Sequence, residues 1–263
     1  RDRLRSRGLG DVYKRQGYVY AVKDKNVYVN LFLSNSSSLK VAGKKVALSQ
    51  DTKYPWNGDI KIAVKKSGVK NANLLVRIPG WVRNQVVPSD LYKYSDAEKP
   101  AYTVTVNGKA VEADLDANKG YLPVKNIKKG DVIRIHFDMP VRTVIANGKV
   151  ADDKGKVAVE RGPLVYCAEA VDNQNEPVLR AVMAKKPAFS VVDNYSIQNT
   201  ETKGAPAFSV KAIKADAQIL EDGANGVSVK NNVLTLIPYY AWNHRGANQM
   251  NVWFYQNLSV LDK

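Results

Sequence analysis

The chain has a single cysteine, Cys167, and two histidines, His136 and His244, in 263 residues. A lone thiol cannot form an internal disulfide, so no cystine framework holds the fold. A zinc site of about four ligands would have to recruit one cysteine, two distant histidines and scattered carboxylates, so no metal site is expected. No uninterrupted apolar stretch approaches the roughly 18 residues that cross a bilayer, and no membrane partner is expected. The GLGDVY stretch at residues 8–13 lacks the third glycine of a dinucleotide fingerprint, so no nucleotide cofactor is implied. No self-similar period argues for a propeller or solenoid. The N-terminus carries no apolar h-region of an export signal. A periplasmic or secreted address is favoured over a cytoplasmic one for the complete protein, as an inference and not a reading.

What is abundant is positive charge: 40 Lys and Arg against 25 Asp and Glu, a formal +15. Its distribution decides what it means. Residues 1–16, RDRLRSRGLGDVYKRQ, hold five Arg and one Lys, whereas the rest holds seven Arg and twenty-seven Lys. This composition break at Gly17, and the likeness of DVYKRQ to adapter sequence read through as coding sequence in assembled metagenomes, mark residues 1–16 as a non-native leader. Without its six basic and two acidic residues the charge falls to +11. The remaining lysines alternate with acids, so a nucleic-acid partner, which needs clustered cations, is not expected.

From Gly17 onward short β-branched and aromatic runs alternate with a period of two and are punctuated by Gly, Asn, Asp and Pro. Val27 to Leu33, Ile60 to Val64, Leu74 to Ile78, Tyr102 to Val106, Val132 to Phe137, Leu164 to Cys167, Val233 to Ile237 and Val252 to Tyr255 read as strands. Asn107-Gly108, Asn147-Gly148 and Asn225-Gly226 offer the positive φ angles of tight hairpins. The length exceeds the usual single domain. The expected fold is all-β, with two antiparallel, jelly-roll-like β-sandwich domains in tandem at 17–140 and 141–263. Asn84 to Pro100 and Asp193 to Pro206 read as surface loops, and Asp216 to Gly223 as the best candidate for a helical turn.

Five segments carry a family likeness. QDTKYPWNG at Gln50 to Gly58, LLVRIPGW at Leu74 to Trp81 and GDVIRIHFDMPVR at Gly130 to Arg142 come first. VAVERGPLVYCAE at Val157 to Glu169 and IPYYAWNHRGANQMNVW at Ile237 to Trp253 follow. In this order they resemble the middle and C-terminal β-sandwiches of glycoside hydrolase family 127, the group of β-L-arabinofuranosidases. The resemblance implies an upstream helical-barrel domain as partner, plant-derived carbohydrate as the parent's substrate, a zinc-bound cysteine nucleophile and a glutamate acid/base. Zinc is therefore expected in that catalytic domain, with no cofactor in this chain. The Cys-Cys-Pro motif expected before Gly17 is not there, and Cys167 lies in a different motif. No catalytic residue transfers.

Read without the family, the residues agree. Glycoside hydrolysis uses two carboxyls about 5–10 Å apart, one held protonated. Glu112, Asp114 and Asp116, and the Asp152-Asp153 pair, read as solvated turns, and Glu160 beside Arg161 as a structural ion pair. His136 alternates with Ile133, Ile135 and Phe137 and should point outward. Cys167 ends an apolar run and reads as inert core. Trp81 should fold back over the core from its Pro-Gly turn, and Trp253 should pack mid-strand. Trp56, Trp242, His244 and Arg245 are left as candidate carbohydrate contacts. Two readings follow: a non-catalytic scaffold of a glycoside hydrolase, whose apolar faces could complete a homo-oligomer, or a stand-alone carbohydrate-binding or adhesin module.

Overall fold

A computed structural model describes residues 17–200, 204–223 and 226–256. Residues 1–16 and Asn225 of the third expected hairpin turn lie outside them. The chain divides into two compact units, residues 1–83 with 99–139, and residues 84–98 with 140–263. Both are mostly antiparallel β-structures, with a parallel strand pair in each. Among the described residues no helix is long and apolar enough to cross a membrane.

The first unit begins with β1 (Tyr20–Lys23), β2 (Asn26–Val29), β3 (Asn35–Val41), β4 (Lys44–Thr52), β5 (Asp59–Ser67) and β6 (Asn73–Arg77). After a short β7 (Tyr92–Tyr94), which belongs to the second unit, it continues with β8 (Tyr102–Val106), β9 (Lys109–Ala110), β10 (Tyr121–Val124) and β11 (Val132–Phe137). Its two sheets run β1-β2-β6-β10 and β3-β4-β5-β11-β8-β9. Period-two alternation dictates their inner faces. Val27, Val29, Leu74, Val76, Leu122 and Val124 are buried from one sheet, and Leu48, Ile60, Ile62, Val64, Ile133, Ile135 and Phe137 from the other. Asn107 and Gly108, both with positive φ, turn β8 into β9 as expected.

An aromatic cluster closes this core. Pro79 and Gly80 lead into a 3-10 turn (Trp81–Arg83) that buries Trp81, whose ring lies 5.8 Å from Phe137. The indole N–H donates to Tyr54 Oη at 3.1 Å, and Phe32 meets Tyr54 edge-on. Gly58 runs so close to β11 that a Cβ there would stand 1.9 Å from the Phe137 carbonyl oxygen, so the glycine of QDTKYPWNG is required by a close backbone approach.

The second unit adds β12 (Val141–Ala146), β13 (Lys156–Arg161), β14 (Leu164–Glu169), β15 (Ala181–Met183), β16 (Phe189–Ile197), β17 (Phe208–Gly223), β18 (Gly226–Pro238), β19 (Met250–Asn251) and β20 (Phe254–Tyr255). Its ladder runs β19-β14-β18-β17-β15-β20-β13-β12-β7 and returns on itself where β13 pairs with β14. Closure removes sheet edges that would otherwise be open to other strands. β16 adds to β17 outside this path.

β14 is buried on both faces. Tyr166 and Ala168 enter the main core with Val157, Val159, Met183, Ile213, Leu234, Leu236 and Phe254. Cys167 points the other way, into a smaller core with Ile197, Val210, Ile237 and Ala241, against which Trp242 packs.

Several expectations need correction. Residues 84–98 join the second unit, and Tyr92–Tyr94 pair with β12 where a loop was expected. Asp216 to Gly223 is extended within β17, paired residue for residue with β18, because a long partner strand overrides weak local preference. Residues 193–197 belong to β16, bulged between Val192 and Tyr195. Asn147-Gly148 opens a loop through a 3-10 turn (Ala151–Asp153) in place of a tight hairpin. Trp253 lies in a bend between β19 and β20, stacked on Tyr92 at 5.6 Å.

Candidate functional site

The densest buried polar cluster lies where β14 ends. Glu169 is the last residue of β14, and a 3-10 turn (Ala170–Asp172) follows at once. Three residues make one 3-10 turn, so Glu169 and Asp172 project to the same side. Arg245 meets both from the loop after β18, with Nη2 on Glu169 Oε2 and Nη1 on Asp172 Oδ1. The side chains are 8% exposed for Arg245 and 1% for each carboxylate, so these charges are out of water. Every carboxylate oxygen is engaged. Glu169 Oε1 accepts from the Asn243 amide and Asn248 Nδ2, both at 3.2 Å, and Asp172 Oδ1 accepts from Tyr195 Oη at 2.7 Å. Arg245 Nη2 also reaches Asp172 Oδ2 at 2.5 Å. Burial alone would lower the Arg245 pKa, but the bonds to Asp172 and Glu169 carry it upward. Burial pushes the Tyr195 phenol up to about 12, helped by the acceptor Asp172.

Beside it, buried Asn173 donates to the carbonyls of Glu169 at 2.7 Å and Thr235 at 3.1 Å, and accepts from the Thr235 amide at 2.7 Å. Buried polar groups persist only when paired in this way. The cluster fastens the 239–250 loop and β16 to β14. Cys167, two residues before this strand's end, has its thiol pushed up to about 12 by burial, with the charges of Glu169 and Asp172 adding to it. A thiol held in its protonated form is a poor nucleophile.

A second cluster in the same unit surrounds Glu160. Tyr94 Oη donates to Glu160 Oε2 at 3.1 Å, and the Arg142 guanidinium lies 3.5 Å from the centre of the Tyr94 ring. Arg142 Nη2 also donates to Asp96 Oδ1 at 2.7 Å and Asn84 Oδ1 at 2.5 Å. Burial raises the Glu160 carboxyl, opposed by the Tyr94 bond and the Arg142 charge. Burial also raises the Tyr94 phenol, with the charge of Glu160 next. The structural partner of Glu160 is therefore Tyr94 with Arg142.

The four candidate carbohydrate contacts fall in different places. Arg245 is committed to its two carboxylates. Trp242 stacks on Tyr239 at 6.0 Å, and the His244 ring meets Phe208 edge-on at 5.3 Å. Trp56 is 45% exposed on the 53–57 turn of the other unit. Asp114 serves its own turn, accepting from the amides of Asp116 and Ala117. His136 projects outward from β11, with Nδ1 2.7 Å from Asp59 and Nε2 3.1 Å from Asp138.

Sequence reasoning passed over Glu169, Asp172, Asp96 and Asn84. The first has a readable signal in hindsight, since an apolar strand ending in a carboxylate needs a cation, and WNHRG holds one. Among the described residues no group of three or more His, Cys, Asp or Glu is arranged to hold a metal.

Comparison with known proteins agrees with this architecture. Residues 26–139 match the family profile described as "Beta-L-arabinofuranosidase, GH127 middle domain", and residues 141–255 match "Glycoside hydrolase family 127 C-terminal domain". A non-reducing end β-L-arabinofuranosidase of Bifidobacterium longum subsp. longum is 30% identical over 246 residues, covering 89% of this chain and 34% of that protein. A solved GH127 β-arabinofuranosidase is similar at TM-score 0.83 and 48% identity, covering 92% of this chain and 37% of its own. A GH127 β-L-arabinofuranosidase from Geobacillus stearothermophilus T6 is similar at TM-score 0.72 and 26% identity, covering 91% of this chain and 35% of that one. The chain spans about a third of the length of these relatives. Matched in order along nearly all of its described length, it belongs to glycoside hydrolase family 127, of which it carries the middle and C-terminal domains.

Proposed function

We propose that these two β-units are the non-catalytic scaffold of a glycoside hydrolase whose parent activity is β-L-arabinofuranosidase-like hydrolysis of plant glycans. One observation carries this reading: the buried groups able to do chemistry are turned onto one another. Arg245 holds Glu169 and Asp172, Tyr94 and Arg142 hold Glu160, and the Cys167 thiol lies in core. Hydrolysis of a glycoside needs one carboxyl to give a proton and a second group to attack or activate water, with the sugar between them. A carboxylate locked to an internal guanidinium offers neither. The apolar surface supports the same reading. Val227, Val229 and Val233 stand on one face of β18 and are each about half exposed, a stripe suited to burial against another part of a larger protein. The test is the purified chain with p-nitrophenyl β-L-arabinofuranoside. Release no faster than the blank is expected, and turnover abolished by a substitution at Glu160, Glu169 or Cys167 would overturn the proposal.

A further inference from the structure

The outward face of the six-stranded sheet in the first unit carries a groove of about 620 Å³ lined mainly by polar and charged residues, which the scaffold reading leaves unused. Strand register lays its side chains in two rows. Asp59, His136 and Thr103 stand opposite one another across β5, β11 and β8, and Lys61, Arg134 and Thr105 form the row beside them. Asp51 extends the second row onto β4. At a strand spacing of about 4.8 Å the four strands span roughly 14 Å, enough for two or three sugar rings laid across them.

We infer that this groove is a binding surface for a neutral oligosaccharide. Three features of the face select that chemistry. Donors (Lys61, Arg134) lie among acceptors (Asp51, Asp59), and threonine hydroxyls do both, which suits a ligand whose every hydroxyl gives and takes a hydrogen bond. The carboxylates disfavour phosphate or nucleic acid, which would call for one sign of charge. The face is also held in place. His136 is bonded through both ring nitrogens to Asp59 and Asp138, which fixes the imidazole in the middle of the groove. At one end the 53–57 turn, closed by the Trp56 amide on the Lys53 carbonyl at 2.9 Å, carries the half-exposed Trp56 next in sequence to the groove-lining Asn57. An indole face accepts the C–H face of a sugar ring while its rim stays wet.

Binding needs no hydrolysis, so the inference stands or falls apart from the scaffold proposal. Arabinotriose and xylotetraose are titrated into the 15N-labelled chain while backbone amide signals are followed. Saturable shifts confined to β4, β5, β8, β11 and the 53–57 turn are expected with at least one of them. Trp56→Ala and Arg134→Ala, each with an otherwise unchanged spectrum, should each weaken binding about 10-fold, equivalent to about 1.4 kcal/mol. Because the ligand is uncharged, its affinity should change less than about 2-fold between low and high salt. No shift with either sugar at about 20 mM would overturn the inference, as would binding that survives the double variant or saturation by inorganic phosphate instead.

Discussion

Replacing Arg245 with methionine keeps most of the side-chain volume and removes the cation that bridges Glu169 and Asp172. Both carboxylates are 1% exposed, so solvent cannot screen them. Breaking a buried pair by deleting one partner costs about 3–5 kcal/mol, because an uncompensated charge is left behind. The second unit comprises residues 84–98 and 140–263, that is 15 plus 124, or 139 residues. At about 2.1 cal/mol/K per residue its unfolding entropy is roughly 0.3 kcal/mol/K, so the loss corresponds to a fall in Tm of about 10–17 °C. Calorimetry gives the size, and hydrogen exchange places it, with amides of β14, β16 and the 239–250 loop opening first. Neutralising the carboxylates in the same background, with Glu169→Gln and Asp172→Asn, should recover part of the stability. The penalty should also shrink in acid, where the orphaned carboxyls can be protonated. A fall below about 3 °C, or a triple variant weaker than Arg245→Met alone, would refute the electrostatic reasoning.

Three further outcomes follow from the same structure. Cys167, with its thiol near 12, should be about one ten-thousandth thiolate at pH 8 and resist maleimide until urea unfolds the chain; stoichiometric labelling of the native protein within minutes would contradict its burial. The hydrogen bond that His136 donates to Asp59 is the largest influence on the imidazole and raises it, so its NMR titration midpoint should lie above about 6.5 and drop in Asp59→Asn. With the folded value raised, any stability from this contact is complete below the unfolded pKa and is lost as pH rises through the folded one; at 51% side-chain exposure it should be small. Gly58→Ala places a Cβ against the Phe137 carbonyl and should cost about 2 kcal/mol or more in urea unfolding, and wild-type stability in that variant would show that β5 and β11 can part freely.

Local signals were readable where both partners lie close in the chain or where one face alternates cleanly. The alternation of Ile133, Ile135 and Phe137 placed His136 outside, and the Pro79-Gly80 turn placed Trp81 inside. The Asn107-Gly108 hairpin joins strands that touch within a few residues. What could not be read depends on distant partners. Tyr92–Tyr94 is three residues long and becomes a strand because β12, some fifty residues on, offers it an edge. Asn84 and Asp96 gain meaning only from Arg142, 58 and 46 residues away. Asp216 to Gly223 has the composition of a turn of helix and the structure of a strand, since the β18 register decides it.

The same physics explains why the polar residues at the end of β14 are bonded to one another. Tyr166, Cys167 and Ala168 are fully buried because both faces of β14 are covered, so the backbone at this strand's end has no access to water. A chain leaving such a strand must either surface at once or carry its own polar partners inward. Glu169, Asp172 and Asn173 are those partners, and each captures a different element: the loop through Arg245 and the Asn243 amide, β16 through Tyr195, and β18 through Thr235. VAVERGPLVYCAE and IPYYAWNHRGANQMNVW are thus two halves of one buried lock, separated by about seventy residues of sequence. A histidine, an arginine, tryptophans and carboxylates gathered in such motifs look like chemistry when read one at a time. Glu169, Asp172 and Arg245 are turned onto one another, and what their arrangement supplies is the attachment of three elements to the end of β14.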